Sequence, residues 1–252
     1  MYNKDRLLVL DADGTTIDAF SAIERTFAAH NMYIGDLERF QKRRHLFKYM
    51  GGLKEFPSNI KRQLGRRKRA RLIETLTQIY REEAKLYYQI GPWINRLIDQ
   101  DGLRVGLVTR NITTTPIETL RHLMKRHDVD VDRLDFLIHV PLKQDKTSAF
   151  RQARKEFNVN PARSYACGDE KHDFVAAMSA GFHPFMVSYG FEDFERLTAK
   201  IGVPPEVIST TPVEFCARVC HALDIDELGT AAPFESRRMP GQSGLPEASL
   251  PL

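Results

Sequence analysis

The amino-acid sequence predicts an α/β fold: a parallel sheet with helical crossovers, interrupted after its first strand by a block of helices. Three observations carry that expectation. Apolar runs at Leu7 to Leu10, Val105 to Val108 and Tyr165 to Cys167 read as strands buried on both faces. From Gly91 onward, strand and helix patterns alternate. Between the first run and Gly91, the spacing is helical throughout and no convincing strand occurs.

Taken in order, the first strand opens into the acidic segment Asp11-Ala12-Asp13-Gly14-Thr15. Residues 20–90 then read as helix upon helix, with Leu72, Leu76, Ile79, Tyr80 and Leu86 recurring at three- and four-residue intervals. The expected sequel is helix 92–100, strand 103–109, helix 116–127, strand 135–140, helix 147–157, strand 164–168, helix 172–180 and strand 183–188. The helix at 116 has a start signal, because Thr113 to Thr115 offer caps and Pro116 fits the first helical position. Cys216 and Cys220 stand four apart on a further helix, as packing residues. Residues 226–252 mix Pro, Gly, Ser and Ala without periodicity and read as a disordered tail.

The totals narrow the class. With 252 residues, 42% of them apolar, the chain can bury one large core or two modest ones. No stretch approaches the roughly 18 to 20 apolar residues of a membrane helix, and the charged segment Met1 to Arg6 leads into a strand instead of a secretory signal. A cytoplasmic protein without membrane association is expected. The three cysteines, an odd number without metal-ligand spacing, suit a reducing compartment. The net charge of +4 is unevenly spread: Lys42 to Arg71 is dense in lysine and arginine and holds a single acid, Glu55. That segment attracts anions.

Four short segments carry chemistry: Asp11 to Thr15, Thr109-Arg110-Asn111, Lys146, and Gly168-Asp169-Glu170-Lys171-His172-Asp173. Ligands of open α/β sheets bind beyond the carboxyl ends of strands, so these segments can meet in one crevice. Asp11 and Asp13, two apart in extended backbone, face the same way and can divide labour as nucleophile and general acid/base. The competing structural reading is a turn-capping aspartate. Asp169 and Asp173 share one helix face, and clustered carboxylates suit Mg²⁺. Alone, such acids can equally complement a helix N-terminus, worth about 0.3 to 1 kcal/mol. Lys146 starts a helix, where the macrodipole disfavours a cation and a phosphoryl-neutralising task explains its presence. A solvated surface lysine is the bland alternative, and Lys143 is the rival candidate. Thr109 offers a hydroxyl and an amide to phosphoryl oxygens, and Arg110 and Asn111 stand within reach of substrate.

In this order the segments resemble the four motifs of the haloacid dehalogenase-like (HAD) hydrolase superfamily, over residues from about 5 to 220. DxDGT matches with both acids, GDExxD matches well, and Thr-Arg-Asn is acceptable. The stretch Ala176-Ala177-Met178-Ser179-Ala180-Gly181 to Tyr189-Gly190-Phe191 looks like the phosphoglycolate phosphatase-like branch. That branch often shows Lys-Pro where this chain has Lys143-Gln144-Asp145-Lys146, and Lys146 is chosen by its spacing to Asp169 and its place at the helix start.

The resemblance implies a Rossmann-like core over 1–18 and 89–225 with an all-helical cap inserted at 19–88. It implies that Asp11 attacks phosphorus to give an aspartyl-phosphate and that Asp13 protonates the leaving alcohol, then activates water. Mg²⁺ would be held by the Asp11 carboxylate, the Asp13 backbone carbonyl and Asp169, with Asp173 ligating directly or through water. Thr109 and Lys146 would bind and neutralise the transferring group. Dehalogenase members lack the second acid, whereas phosphatases and phosphomutases keep it, so a phosphatase acting on a small phosphate monoester is expected, and a phosphomutase, which would use the same acids, stays open. The cap would choose the substrate, with Lys48, beside Tyr49, Gly51 and Gly52, reading a second anionic group. Two alternatives stay open on the basic segment: a phosphatase of nucleotides or nucleic-acid ends, and a non-enzymatic nucleic-acid-binding protein.

Overall fold

A computed structural model describes residues 2–31 and 66–225. Its strands are β1 (Arg6–Leu10), β2 (Leu103–Thr109), β3 (Phe136–His139), β4 (Ser164–Gly168), β5 (His183–Val187) and β6 (Ile208–Ser209). They form one sheet in the order β3-β2-β1-β4-β5-β6, and every neighbouring pair is parallel. The chain winds outward from β1 in both directions. Leu10 lies opposite Leu107 of β2, and Val9 opposite Ala166 of β4. The carboxyl ends of β1, β2 and β4 therefore open side by side, which is where an α/β sheet receives a ligand.

The described helices are α1 (Ala19–Ala29), α2 (Arg66–Glu82), α3 (Ile90–Ile98), α4 (Pro116–Arg126), α5 (Thr147–Glu156), α6 (Lys171–Ala180) and α7 (Pro212–Ala222). They cover both faces of the sheet. Alternate residues of β1 divide between two cores: Leu8 and Leu10 pack with Trp93 and Leu97 of α3, Leu120 and Leu123 of α4 and Phe215 of α7. Leu7 and Val9 pack instead with Phe150 and Ala153 of α5 and Ala176 and Ala177 of α6. A strand buried on both sides must be apolar at every position, which is why the run Leu7 to Leu10 is uninterrupted.

The helices α1 and α2 stand between β1 and α3 in the chain. His30 Nε2 meets Thr75 Oγ1 at 2.9 Å and Arg25 pairs with Glu83, so the two helices run antiparallel. A polar seam fastens α2 to α4. Thr114 N donates to Thr77 Oγ1 (2.9 Å), and the Arg81 guanidinium donates to Thr115 Oγ1 (2.7 Å). From the other side, the Arg126 guanidinium donates to the carbonyls of Arg81 and Ala84.

Two local expectations are corrected. Thr113 to Thr115 do not cap α4 with their side chains, because Thr115 accepts from Arg81 and Thr113 donates to Asn111 Oδ1. Tertiary partners outcompete the local cap. Neither the two-residue strand β6 nor the π-helical stretch Arg196–Ile201 is anticipated by periodicity, since both are too short to show any. The expected tail at 226–252 and the residue Lys48 lie outside the described residues.

Candidate active site

β1 delivers Asp11 directly after its last residue, and the chain turns at Gly14, whose φ of +84° favours glycine. A Cβ there would sit 2.2 Å from Asp169 Oδ2, and one at Gly190 would sit 2.5 Å from the same oxygen. Two loops thus give up their side chains to let the Asp169 carboxylate between them. Asp169 follows β4, is fully buried, and accepts from the Phe191 amide.

Asp173 lies in the first turn of α6 and has two occupations. Its Oδ2 accepts from the Glu170 amide at 3.0 Å, one half of a capping box whose other half is the Glu170 side chain. Its Oδ1 pairs with Lys146 Nζ at 2.7 Å. The same ammonium donates to Asp11 Oδ1 at 2.5 Å. Lys146 immediately precedes α5 and is 2% exposed, whereas Lys143 points to solvent, so the structure brings Lys146 and not Lys143 against Asp11.

One carboxylate oxygen from each of Asp11, Asp169 and Asp173 lies within 4.8 Å of the others, and all three residues are buried. The charges do not balance. Three carboxylates against one ammonium leave two negative charges in a water-poor pocket, and an all-oxygen set with that deficit fits a hard divalent cation. The protein without such a cation relieves part of the strain by protonation. Burial, helped by Asp173 and Asp13 and opposed by Lys146, pushes the Asp11 carboxyl up to about 7. Burial would also raise Asp173, but Lys146, Arg110 and the Glu170 amide hold it below the usual carboxylate range. Lys146 stays charged: burial works against its ammonium, and the two aspartates more than offset it.

The Asp13 carboxylate stands apart from this cluster, half-buried, with its own partners. Tyr80 of α2 donates its hydroxyl to Asp13 Oδ1 at 2.8 Å, and Asn111 Nδ2 donates to Oδ1 at 3.1 Å and Oδ2 at 3.0 Å. Burial raises the carboxyl, and both hydrogen bonds oppose the rise. Thr109, the last residue of β2, accepts from the Asn111 amide (3.0 Å), and the Arg110 guanidinium pairs with Glu170 at 2.7 Å. All four sequence segments therefore converge. Of the residues expected to touch substrate, Asn111 spends its amide on Asp13 and Arg110 ties the loop after β2 to the loop after β4. Tyr80 escaped the sequence reading as a participant, since it completes an apolar helical stripe and only its hydroxyl betrays a polar end.

This arrangement defines a hydrolase of one family. The profile of the haloacid dehalogenase-like hydrolases matches residues 8–187, and the chain belongs to that family. Solved structures share the fold. A protein of Lactobacillus delbrueckii subsp. bulgaricus, named provisionally as a phosphoglycolate phosphatase, is 16% identical with a TM-score of 0.60, over 86% of this chain and 99% of that one. A haloacid dehalogenase-like family hydrolase of Streptococcus pneumoniae is 18% identical with a TM-score of 0.58, over 85% and 98%. CbbY of Rhodobacter sphaeroides, solved in complex with phosphate, is 20% identical with a TM-score of 0.54, over 76% and 89%. Among curated proteins no relative matches. No helix of the described residues is long and apolar enough to cross a membrane.

Proposed function

We propose that the protein is a divalent-cation-dependent phosphatase of small phosphate monoesters that works through an aspartyl-phosphate on Asp11. The observation that carries this reading is the buried cluster of Asp11, Asp169 and Asp173, with Lys146 bridging Asp11 and Asp173 and a second acid, Asp13, two residues from the first. In the first step an Asp11 carboxylate oxygen attacks phosphorus, the ester P–O bond breaks, and Asp13 gives its proton to the departing alkoxide. In the second, Asp13 takes a proton from water, whose oxygen attacks phosphorus, and the bond to Asp11 breaks to release inorganic phosphate.

Lys146 faces Asp11 and would neutralise charge on the transferring group, while the Thr109 hydroxyl and nearby amides would hold its oxygens. Mg²⁺, held by Asp11, Asp169 and the Asp13 carbonyl with Asp173 beside them, would supply charge neutralisation when bound. Pre-positioned groups of this kind dominate phosphoryl transfer, which asks little covalent chemistry of the protein. The substrate class is supported by the fold relatives, among them CbbY solved with xylulose-(1,5)bisphosphate. Residues 19–88 would form the cap, and Arg110 and Lys48 would read the remainder of the ester.

The test is a screen of sugar phosphates, phosphoglycolate, nucleotides and a generic aryl phosphate with and without Mg²⁺. Hydrolysis that needs the cation and drops to background in Asp11→Asn is the expected result. Hydrolysis surviving in Asp11→Asn would remove the proposal, and salt-sensitive nucleic-acid binding without hydrolysis would favour the basic-segment alternative.

A further inference from the structure

Tyr80 is the one described side chain of α2 that bonds to an acid of the site, and its surroundings leave it a single task. It is 2% exposed, and its phenol hydroxyl donates to Asp13 Oδ1 at 2.8 Å. The Asn111 amide is also fixed in one sense. Its Oδ1 accepts from the Thr113 backbone amide (2.9 Å) and from Thr113 Oγ1 (2.5 Å), so Nδ2 must face Asp13. Two donors therefore load Asp13 Oδ1 and one reaches Oδ2, which leaves Oδ2 the less occupied oxygen. The helix carrying Tyr80 is itself held to α4 through Thr77 and Arg81, on either side of Tyr80 in the chain.

From this geometry we infer that Tyr80 is a positioning residue for the acid-base step: it reaches from α2 across to Asp13 and fixes which carboxylate oxygen is presented to the ester. The inference rests on the phosphatase reading and deepens it. Through Tyr80, proton transfer at the leaving oxygen depends on α2 being seated, so the inserted helices contribute to chemistry as well as to enclosure.

The experiment compares kcat/KM of wild type, Tyr80→Phe, Asp13→Asn and the double variant on two Mg²⁺-supported substrates. One is an alkyl phosphate, whose alkoxide needs a proton to leave. The other is 4-nitrophenyl phosphate, whose phenolate leaves without one. Because kcat/KM reports steps up to the first irreversible one, it isolates transfer to Asp11. Tyr80→Phe is expected to lower the alkyl value at least about tenfold more than the aryl value, a fraction of the roughly 10²- to 10⁴-fold worth of a general acid. In the Asp13→Asn background the same substitution is expected to have no further effect on the ratio, because the two act as one unit. Equal losses on both substrates, or a Tyr80→Phe effect that persists without Asp13, would show a merely structural tyrosine and overturn the inference. Thermal melts of each variant identify a folding defect, and should Tyr80→Phe be unfolded, Tyr80→Leu, which also lacks the donor to Asp13, takes its place with the same expected ratio. A wild type inactive on both substrates would sink the phosphatase reading itself.

Discussion

Asp11 sits out of water with its carboxyl pushed up to about 7, against an ordinary 3.8, and that shift has a sign that can be measured. A group whose folded pKa is raised stabilises the metal-free fold fully below 3.8 and loses that contribution as pH climbs through about 7. Asp173, held low, works oppositely, but its window lies below 3.8. A divalent cation needs Asp11 ionised, so binding releases a proton at acid pH and strengthens as pH rises. Thermal melts with and without Mg²⁺ between about pH 5.5 and 8 should show a shift that grows with pH; a shift that shrinks would contradict the assignment. Lys146 tests the same charge balance from the other side. Lys146→Met leaves buried carboxylates uncompensated and should cost about 3 to 5 kcal/mol by denaturant unfolding at neutral pH, with the loss easing in acid as the carboxylates protonate.

At the level of elements, α3 is fixed by Trp93, fully buried and packed at 5.2 Å against the Phe215 ring of α7. Trp93→Ala should destabilise by about 3 to 5 kcal/mol, read from a denaturation midpoint at unchanged slope. The glycine turns are the site's equivalent. Gly14→Ala places a methyl 2.2 Å from Asp169 Oδ2 on a backbone at φ +84°, and should abolish the Mg²⁺-dependent melting shift while costing about 1 to 3 kcal/mol. These elements were legible in the sequence to different degrees. The strands at 103–109 and 164–168 match their observed bounds, because burial on both faces demands an unbroken apolar run that ends where polar chemistry begins. Helix positions fell within two residues, as in Ile90–Ile98 against 92–100, since helix ends depend on caps such as left-handed Gln89 that periodicity does not encode. Three of the four acidic and polar segments were readable because each lies at the end of a strand, and Lys146 because it opens a helix where the macrodipole disfavours a cation. Tyr80 was not, because its bond to Asp13 joins residues 67 positions apart and its ring satisfies the apolar stripe of α2.

For the molecule as a whole, the sheet order gathers segments from Asp11 to Asp173 by placing β1 between β2 and β4, so that the site exists only in the folded chain. A cation bound there stabilises the entire fold by mass action, about 2.7 kcal/mol at a hundredfold excess over Kd. The measurement that bears most directly on the account is acid quenching of the wild type during turnover of a phosphate monoester with Mg²⁺, followed by mass analysis of the peptide containing Asp11. The account predicts that this peptide carries one phosphoryl group on Asp11, and that the group is missing in Asp11→Asn. Steady release of inorganic phosphate with Asp11 never modified would contradict it.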